Sequence, residues 1–257
     1  VSTACASGTD AIIEAYKSIV LGHSDVMITG GAEAPISPVS FAGFCSMKAM
    51  STRNSEPEKA SRPFDRDRDG FVMSEGSGIV ILEELTHALK RNAKIYAEIV
   101  GFGQSCDAYH ETAPDPKAEG AIRALEMALK TSKLKPEDIN YINAHGTSTV
   151  LNDKMETRAI KDVFGAHAYN IKINSTKSMV GHGLGAAGAW EAIATCLQIY
   201  HGKVHPTINY ENFDPECDLD YTPNKSINLE IVAALSNSFG FGGHNAVIAF
   251  RRYDKSR

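Results

Sequence analysis

The chain has 257 residues, a formal net charge of −5 and 43% hydrophobic residues, the composition of an ordinary globular protein with a sizeable core. Mild acidity and scattered Lys and Arg give no reason to expect nucleic acid as a partner, and the absence of any run of 18 apolar residues predicts no membrane span. The five cysteines (5, 45, 106, 196 and 217) are odd in number and lack C-x-x-C spacing, so reduced thiols in the cytoplasm are expected rather than a zinc site or a disulfide framework.

The chain opens Val1-Ser2-Thr3-Ala4-Cys5, without Met and without a signal peptide, and reads as the end of a strand cut from a longer protein. Residues 7–21 are predicted helical, with Ile12, Ile13, Tyr16, Ile19 and Val20 at a 3.6-residue period and Gly22 as the stop. Residues 25–32 read as a buried strand ending in Gly30-Gly31. Residues 35–63 are irregular apart from a short helix around 41–50, and 71–83 is strand-like. From about residue 93 an alternation begins. Strands are predicted at 95–103, 140–144 and 171–175. Helices follow at 117–131, at 152–164 with Asn152 or Asp153 as N-cap, and at 185–200. Two last strands, 231–236 and 246–251, flank Phe239-Gly240-Phe241-Gly242-Gly243. The order from residue 93 is β-α-β-α-β-α-β-β, and the earlier part supplies only the α-β-β tail of the same order. Such alternation implies an α/β fold with a mostly parallel sheet covered by helices.

Three places carry chemistry. Cys5 stands at a strand-to-helix junction among small residues, where free N–H groups and the helix dipole would lower its pKa and make a nucleophile; the motif alone equally allows an inert core thiol. Asn143-Ala144-His145-Gly146-Thr147-Ser148-Thr149 and the run Asn174 to Gly183, with Lys177 and His182, each follow a strand, where open α/β sheets place their sites. A single His or Lys in such a loop is more often structural, but their coincidence with Cys5 favours a shared site.

Thr3-Ala4-Cys5-Ala6-Ser7-Gly8, the His-Gly-Thr-Ser-Thr run at 145–149, Lys177 with Gly181-His182, and Asn237-Ser238-Phe239-Gly240-Phe241-Gly242-Gly243 together resemble the β-ketoacyl-acyl carrier protein synthases, nearest to the synthases II of fatty-acid elongation. The likeness covers essentially the whole chain in order and spacing. It implies the thiolase-like fold of two β-α-β-α-β-α-β-β halves, with residues 1–92 as the remainder of the first half and 93–257 as the complete second half. Loss of the missing elements would expose core. The implied activity is decarboxylative condensation of an acyl-enzyme thioester with malonyl-acyl carrier protein. By the matching motifs Cys5 carries the acyl group, and His145 and His182 stabilise the enolate. The backbone N–H groups of Cys5 and Phe241 form an oxyanion hole, and Lys177 is paired with Glu191.

The resemblance further implies that Phe44 and Phe241 gate the acyl channel, that Phe239 and Gly240 bind substrate, and that Thr147 and Thr149 hold the phosphopantetheine arm. Without it, Phe44 is ordinary core and the two threonines are helix caps. A basic segment (Lys48, Arg53, Lys59, Arg62, Arg66 and Arg68) suits an acidic carrier protein, or is an ordinary solvated loop. No catalytic metal or cofactor is required, though a structural monovalent cation near Glu191 and Ser236-Asn237 is compatible. The expected partners are the acyl carrier protein and, in the full-length parent, a second copy. Cys45, Ala113 and Met73-Ser74-Glu75 depart from the family pattern. The alternatives are a polyketide ketosynthase, which shares the chemistry, and a catalytically inactive fragment or partner subunit, which Cys5, His145 and His182 argue against.

Overall fold

Helix α1 (Ser7–Val20) buries Ile12 and Ile13 and leads into strand β1 (Val26–Glu33). A computed structural model describes residues 1–254. After β1, Ser37 caps helix α2 (Pro38–Ser46), its hydroxyl accepting the N–H of Ser40, so this helix lies several residues earlier than the expected 41–50. Strand β2 (Gly76–Glu83) pairs antiparallel with β1, and helix α3 (Leu85–Lys90) follows. The predicted strand 71–83 is thus only half strand. Its first residues are drawn away by a bridge between Met73 and His182. The outer face of the β1–β2 ribbon leaves Val26, Ile28, Ile79 and Ile81 exposed, Ile28 to 74%.

The second part supplies β3 (Glu98–Cys106), α4 (Glu119–Ser132), β4 (Tyr141–Asn143), α5 (Val150–Phe164), β5 (Lys172–Asn174), the single turn α6 (Lys177–Val180), α7 (Ala187–His201), the short pair β6 (Lys203–Val204) and β7 (Ile227–Asn228), β8 (Ala233–Gly240) and β9 (His244–Arg251). Five of these strands form one sheet in the order β3-β9-β8-β4-β5. The β4 ladders to β5 and β8 are parallel, whereas β8–β9 and β9–β3 are antiparallel. The sheet is therefore mixed rather than mostly parallel, because the glycine run at 240–243 folds β8 directly back on β9 as a hairpin.

Side-chain alternation along these strands makes two cores. Ile142, Leu235, Val247 and Ala249 face α4 and α5, with Leu125 and Ile160. Tyr141, Ala234, Ile248 and Phe250 face α1 and α7, with Ile12, Ile13 and Ile199. Burying one such aliphatic side chain contributes about 1.5–3 kcal/mol, so each sheet face is a substantial source of stability. Among the described residues no helix is long and apolar enough to cross a membrane.

Most expected boundaries shift by a few residues. Helix α5 starts at Val150, earlier than 152, with Thr149 in the cap position and no side-chain cap bond. Neither Asn152 nor Asp153 caps it; Asp153 instead accepts the N–H of Phe64 at 2.8 Å. Helix α4 lies so close to β3 that a methyl group at Gly103 would sit 1.9 Å from the carbonyl oxygen of Ala124. Gly103→Ala must push helix and strand apart, and urea denaturation should show a loss of about 1–3 kcal/mol, the usual cost of overpacking. An unchanged midpoint would show that the α4–β3 contact is slack.

Candidate active site

Strand β4 ends at Asn143, and the chain turns at once, Ala144 donating its N–H to Asn174 O at 2.8 Å. That turn delivers His145 to a cavity of about 260 Å³. Cys5, His182, Phe44, Thr147, Thr149, Phe239, Gly240 and Phe241 line the same cavity. Lys177 and Glu191 do not line it; they lie buried behind His145. The structure thus gathers every candidate site residue into one cavity or the layer directly behind it.

Lys177 opens α6 and is 1% exposed. Its ammonium donates to the carboxylate of Glu191, to the carbonyl of His145 at 2.6 Å and to His145 Nδ1 at 3.2 Å. An ammonium has only donors, so His145 Nδ1 must accept and its proton sits on Nε2. His182 reaches the same tautomer by another route. The N–H of Leu184 donates to His182 Nδ1 at 3.2 Å, leaving Nε2–H free to donate. The two rings stand 5.4 Å apart, nearly perpendicular. Burial and the Lys177 charge hold both imidazoles well below their ordinary pKa, with each ring's neutral form favoured.

Cys5 sits in a tight turn. Ala4 has φ 50°, Ala6 N–H donates to Thr3 O at 3.1 Å, and α1 begins two residues later. The glycine loop presses on this turn: a methyl group at Gly240 would lie 2.9 Å from Thr3 O and 3.2 Å from Cys5 N. A side chain at 240 would displace the Cys5 turn, so this position requires glycine. The expected lowering of the Cys5 thiol pKa does not occur. Burial pushes it up to about 11, against the opposing pull of the Lys177 charge and of the backbone N–H groups of Phe241 and Cys5. In a site this dry, desolvation of a thiolate outweighs two N–H groups and a neighbouring cation.

Phe44 packs edge-on against Phe71 at 5.3 Å and lies 6.4 Å from Phe241. Phe239 stands 6.0 Å from the His145 ring. Thr147 and Thr149 hydrogen-bond each other at 2.8 Å at the cavity wall, so the Thr149 hydroxyl does not cap α5 although its residue holds the N-cap position. The basic segment is corrected in part. Arg62 is buried against Asp65 and Glu211 at 3.0 Å each, and Arg68 against Asp214 at 2.7 Å and Asp153 at 3.5 Å. These two guanidiniums hold the chain together and are not available to a partner, whereas Lys48 is exposed at the cavity rim.

Glu156 escaped the reading of the sequence. Fully buried on α5, it accepts the backbone N–H groups of His145 at 2.9 Å and Gly146 at 2.8 Å, and the side-chain amide of Asn237 at 3.0 Å. It thereby ties the His145 turn to the strand that leads into the glycine loop. The available signal was polar: Asp153, Glu156 and Thr157 occupy the buried stripe of α5 together with Ile160. Near it, Glu191 Oε2, Asn143 Oδ1, Ser236 Oγ and Asn237 Oδ1 are buried side-chain oxygens without a hydrogen-bond partner among the described residues.

A mixed five-stranded sheet between helix pairs, with a helix-start cysteine pressed by a glycine hairpin, places the protein among the thiolase-like α/β folds. The family follows from the sequence. Residues 1–88 match the β-ketoacyl synthase N-terminal domain and 96–211 the β-ketoacyl synthase C-terminal domain, so the chain belongs to the β-ketoacyl synthase family. It is 61% identical over 251 residues to a 3-oxoacyl-[acyl-carrier-protein] synthase 2 of Synechocystis sp., covering 98% of this chain and 60% of the relative. A protein of the same name from Staphylococcus aureus (strain COL) is 53% identical over 98% of this chain and 61% of its own length. The chain thus spans about 60% of the length of these curated relatives. Among solved structures, a type II polyketide ketosynthase bound to a hexaketide and in complex with its acyl-carrier protein is similar at TM-score 0.97 and 46% identity, over 99% of this chain and 62% of that one. A β-ketoacyl synthase from Burkholderia phymatum STM815 is similar at TM-score 0.94 and 44% identity, over 98% and 61%.

The raised thiol pKa has a direct kinetic signature. Alkylation of Cys5 by iodoacetamide, followed on its own peptide by mass spectrometry, should quicken about tenfold per pH unit from about pH 7 to 10. A plateau by about pH 8 would mean a thiolate already formed.

Proposed function

We propose that this protein catalyses decarboxylative condensation in fatty-acid elongation, carrying the growing acyl chain on Cys5 and extending it with malonyl-acyl carrier protein. The observation that carries this reading is the pair of imidazoles fixed with Nε2–H outward, in one cavity with a cysteine that faces two backbone N–H groups. In the first step the Cys5 sulfur attacks the carrier thioester. The carbonyl oxygen becomes an oxyanion, and the N–H groups of Cys5 and Phe241 are the donors placed to receive it. The bond to the pantetheine sulfur breaks, and that sulfur leaves with the proton Cys5 gave up. In the second step malonyl thioester loses CO2 and its electron pair remains as an enolate, whose oxygen accepts from His145 Nε2–H and His182 Nε2–H. The enolate carbon attacks the acyl-Cys5 carbonyl, the C–S bond breaks, and Cys5 leaves as thiolate to be reprotonated from solvent.

Neither imidazole acts as a base in this tautomer, since each Nδ1 is already an acceptor. Lys177 acts through His145 and so positions it. Phe44 and Phe241 would gate the acyl channel, Phe239 and Gly240 bound it, and Thr147 and Thr149 would hold the pantetheine arm. Residues 1–92 bear the nucleophile and 93–257 the histidines, as parts of the two halves of the fold. The acyl carrier protein is the partner, a homodimer the assembled form and the cytoplasm the compartment. The relatives named 3-oxoacyl-[acyl-carrier-protein] synthase 2 support the fatty-acid reading over a polyketide one, being more similar than the polyketide ketosynthase.

The unpartnered oxygens of Glu191, Asn143 and Ser236, on the α7 side of the sheet, would suit a monovalent cation, because hard oxygen donors beside a buried carboxylate suit one. Such an ion would supply positive charge beside Glu156 and Glu191, both of whose carboxyls burial pushes up.

Two experiments test the proposal. Incubation with acyl-acyl carrier protein should leave an acyl adduct on Cys5 by peptide mass spectrometry, and Cys5→Gln should abolish condensation while retaining malonyl decarboxylation. An adduct elsewhere, or condensation by that variant, refutes the assignment. Second, decarboxylation by the variant should be level above about pH 8 and decline through pH 7 and below. With no cation bound beside it, Glu191, its carboxyl raised to about 7 by burial, takes up a proton first and weakens the hold on Lys177. The histidines follow below their ordinary 6.5, when a proton on Nδ1 would face Lys177 or the Leu184 N–H. Adding Glu191→Gln should remove the upper limb only; an unchanged profile would show that Glu191 does not titrate there.

A further inference from the structure

His182 is held at three points. Its N–H donates to Val72 O at 2.7 Å, its carbonyl accepts the N–H of Ser74 at 3.0 Å, and its ring accepts the N–H of Leu184. The last contact decides which ring nitrogen carries the proton, and it depends on the turn at 183–184. Leu184 adopts φ 47°, a left-handed conformation that costs a leucine energy and persists only when the surroundings enforce it. Gly183, by contrast, has φ −80° and ψ 18°, which any residue can adopt, so its lack of a side chain answers to space. That space is taken by the sole tryptophan of the chain. A methyl group at Gly183 would lie 2.3 Å from Trp190 Cη2 and 2.5 Å from Cζ3. The same ring is bounded by β2, where methyl groups at Gly76 and Gly78 would lie 3.0 Å and 2.8 Å from it.

We propose that Trp190 is a positioning residue for His182: its ring, wedged between β2 and Gly183, clamps the 183–184 turn that presents the Leu184 N–H to His182 Nδ1 and so fixes the outward Nε2–H. The proposal rests on the reading of His182 as a donor to the enolate oxygen. Trp190 touches no substrate, and its effect passes entirely through the turn. It follows that the volumes at 183 and 190 are exchangeable. A large side chain at 183 is excluded while the indole is present, and becomes the natural filler when the indole is replaced by a small residue.

The test uses the protein carrying this sequence and four variants: Trp190→Ala, Trp190→Phe, Gly183→Leu and the double variant Gly183→Leu/Trp190→Val. Three quantities are read: malonyl decarboxylation in the Cys5→Gln background, acylation of Cys5 when cysteine is retained, and the ring ¹⁵N shifts of His182 and His145. Removing an oxyanion donor typically costs about 10²–10³ in rate, so a mispositioned one in Trp190→Ala should lower decarboxylation by about tenfold to a hundredfold. Cys5 acylation should stay within about twofold, because its donors, the N–H groups of Cys5 and Phe241, are not part of the 183–184 turn. The ¹⁵N signals should show His182, and not His145, losing its single tautomer. Trp190→Phe, which keeps an aromatic wedge and the fold, should lose less. Gly183→Leu alone should behave like Trp190→Ala, and the double variant should recover to within a few fold of the parent. Equal loss of acylation and decarboxylation, an unshifted His182, or no recovery in the double variant overturns the proposal. A parent protein that neither acylates nor decarboxylates instead overturns the functional reading, and the His182 tautomer still decides the role of Trp190.

Discussion

An ammonium group with almost no access to water must be compensated on every side, and Lys177 is that group here. Its three contacts go to the carboxylate of Glu191 and to two atoms of His145. Moving such a charge out of water costs several kcal/mol before pairing is counted, so the ion pair is poor material for stability. What it confers is geometry. Bound through both its carbonyl and its Nδ1, His145 can neither flip nor exchange tautomer without stripping the ammonium of a partner. The surrounding layer follows. Glu156 fixes the His145 backbone and reaches across to Asn237, and Asn237 stands two residues before Phe239 on the strand that becomes the glycine hairpin.

The site belongs to neither part of the chain alone. Cys5 and the Val72–Ser74 segment come from the first 92 residues; both histidines and the glycine loop come from the remainder. Besides the shared apolar core and the buried arginine pairs, contacts across this division near the site include backbone and short polar ones, such as the His182 bridge and the 2.7 Å hydrogen bond between Thr9 and Ser238. Glycine at 240 and at 78 lets main chain from one part approach main chain or indole from the other. Close approach of this kind sets donor positions to fractions of an ångström, which long side chains on a surface could not do.

The alternation of apolar residues made the helices and most strands of the second part legible, because a residue's face on a two-core sheet is written in a period of two. Hairpin closure was less legible, since the glycine run reads equally as a loop and as a turn. Cys5, His145, Lys177 and His182 were located by loops at strand ends and the remaining candidates by the family resemblance, and the structure brings them together. What sequence could not supply was dielectric. Reading Cys5 from its helix start alone gave the sign of the dipole's effect and omitted the larger desolvation opposing it. Arg62 and Arg68 look like surface charges among alternating aspartates, because their partners Glu211 and Asp214 lie far along the chain. Glu156 hid for the same reason, as a charged residue on a helix face that only burial shows to be inward.

A nucleophile with a raised pKa looks ill suited to attack, yet the proposed reaction asks two things of Cys5. It must take an acyl group, and it must keep that group until a second substrate arrives. Nucleophilicity of thiolates rises with pKa while their quality as leaving groups falls. A thiol pushed up by burial is therefore scarce as thiolate but strong once formed, and its thioester parts less readily with the acyl chain. The same burial limits the access of water to that thioester. An enolate generated beside it is a far stronger nucleophile than water and arises only after CO2 has departed. Dryness, which defeats the simple expectation of an acidic thiol, thus favours an acyl-enzyme that waits for carbon rather than oxygen.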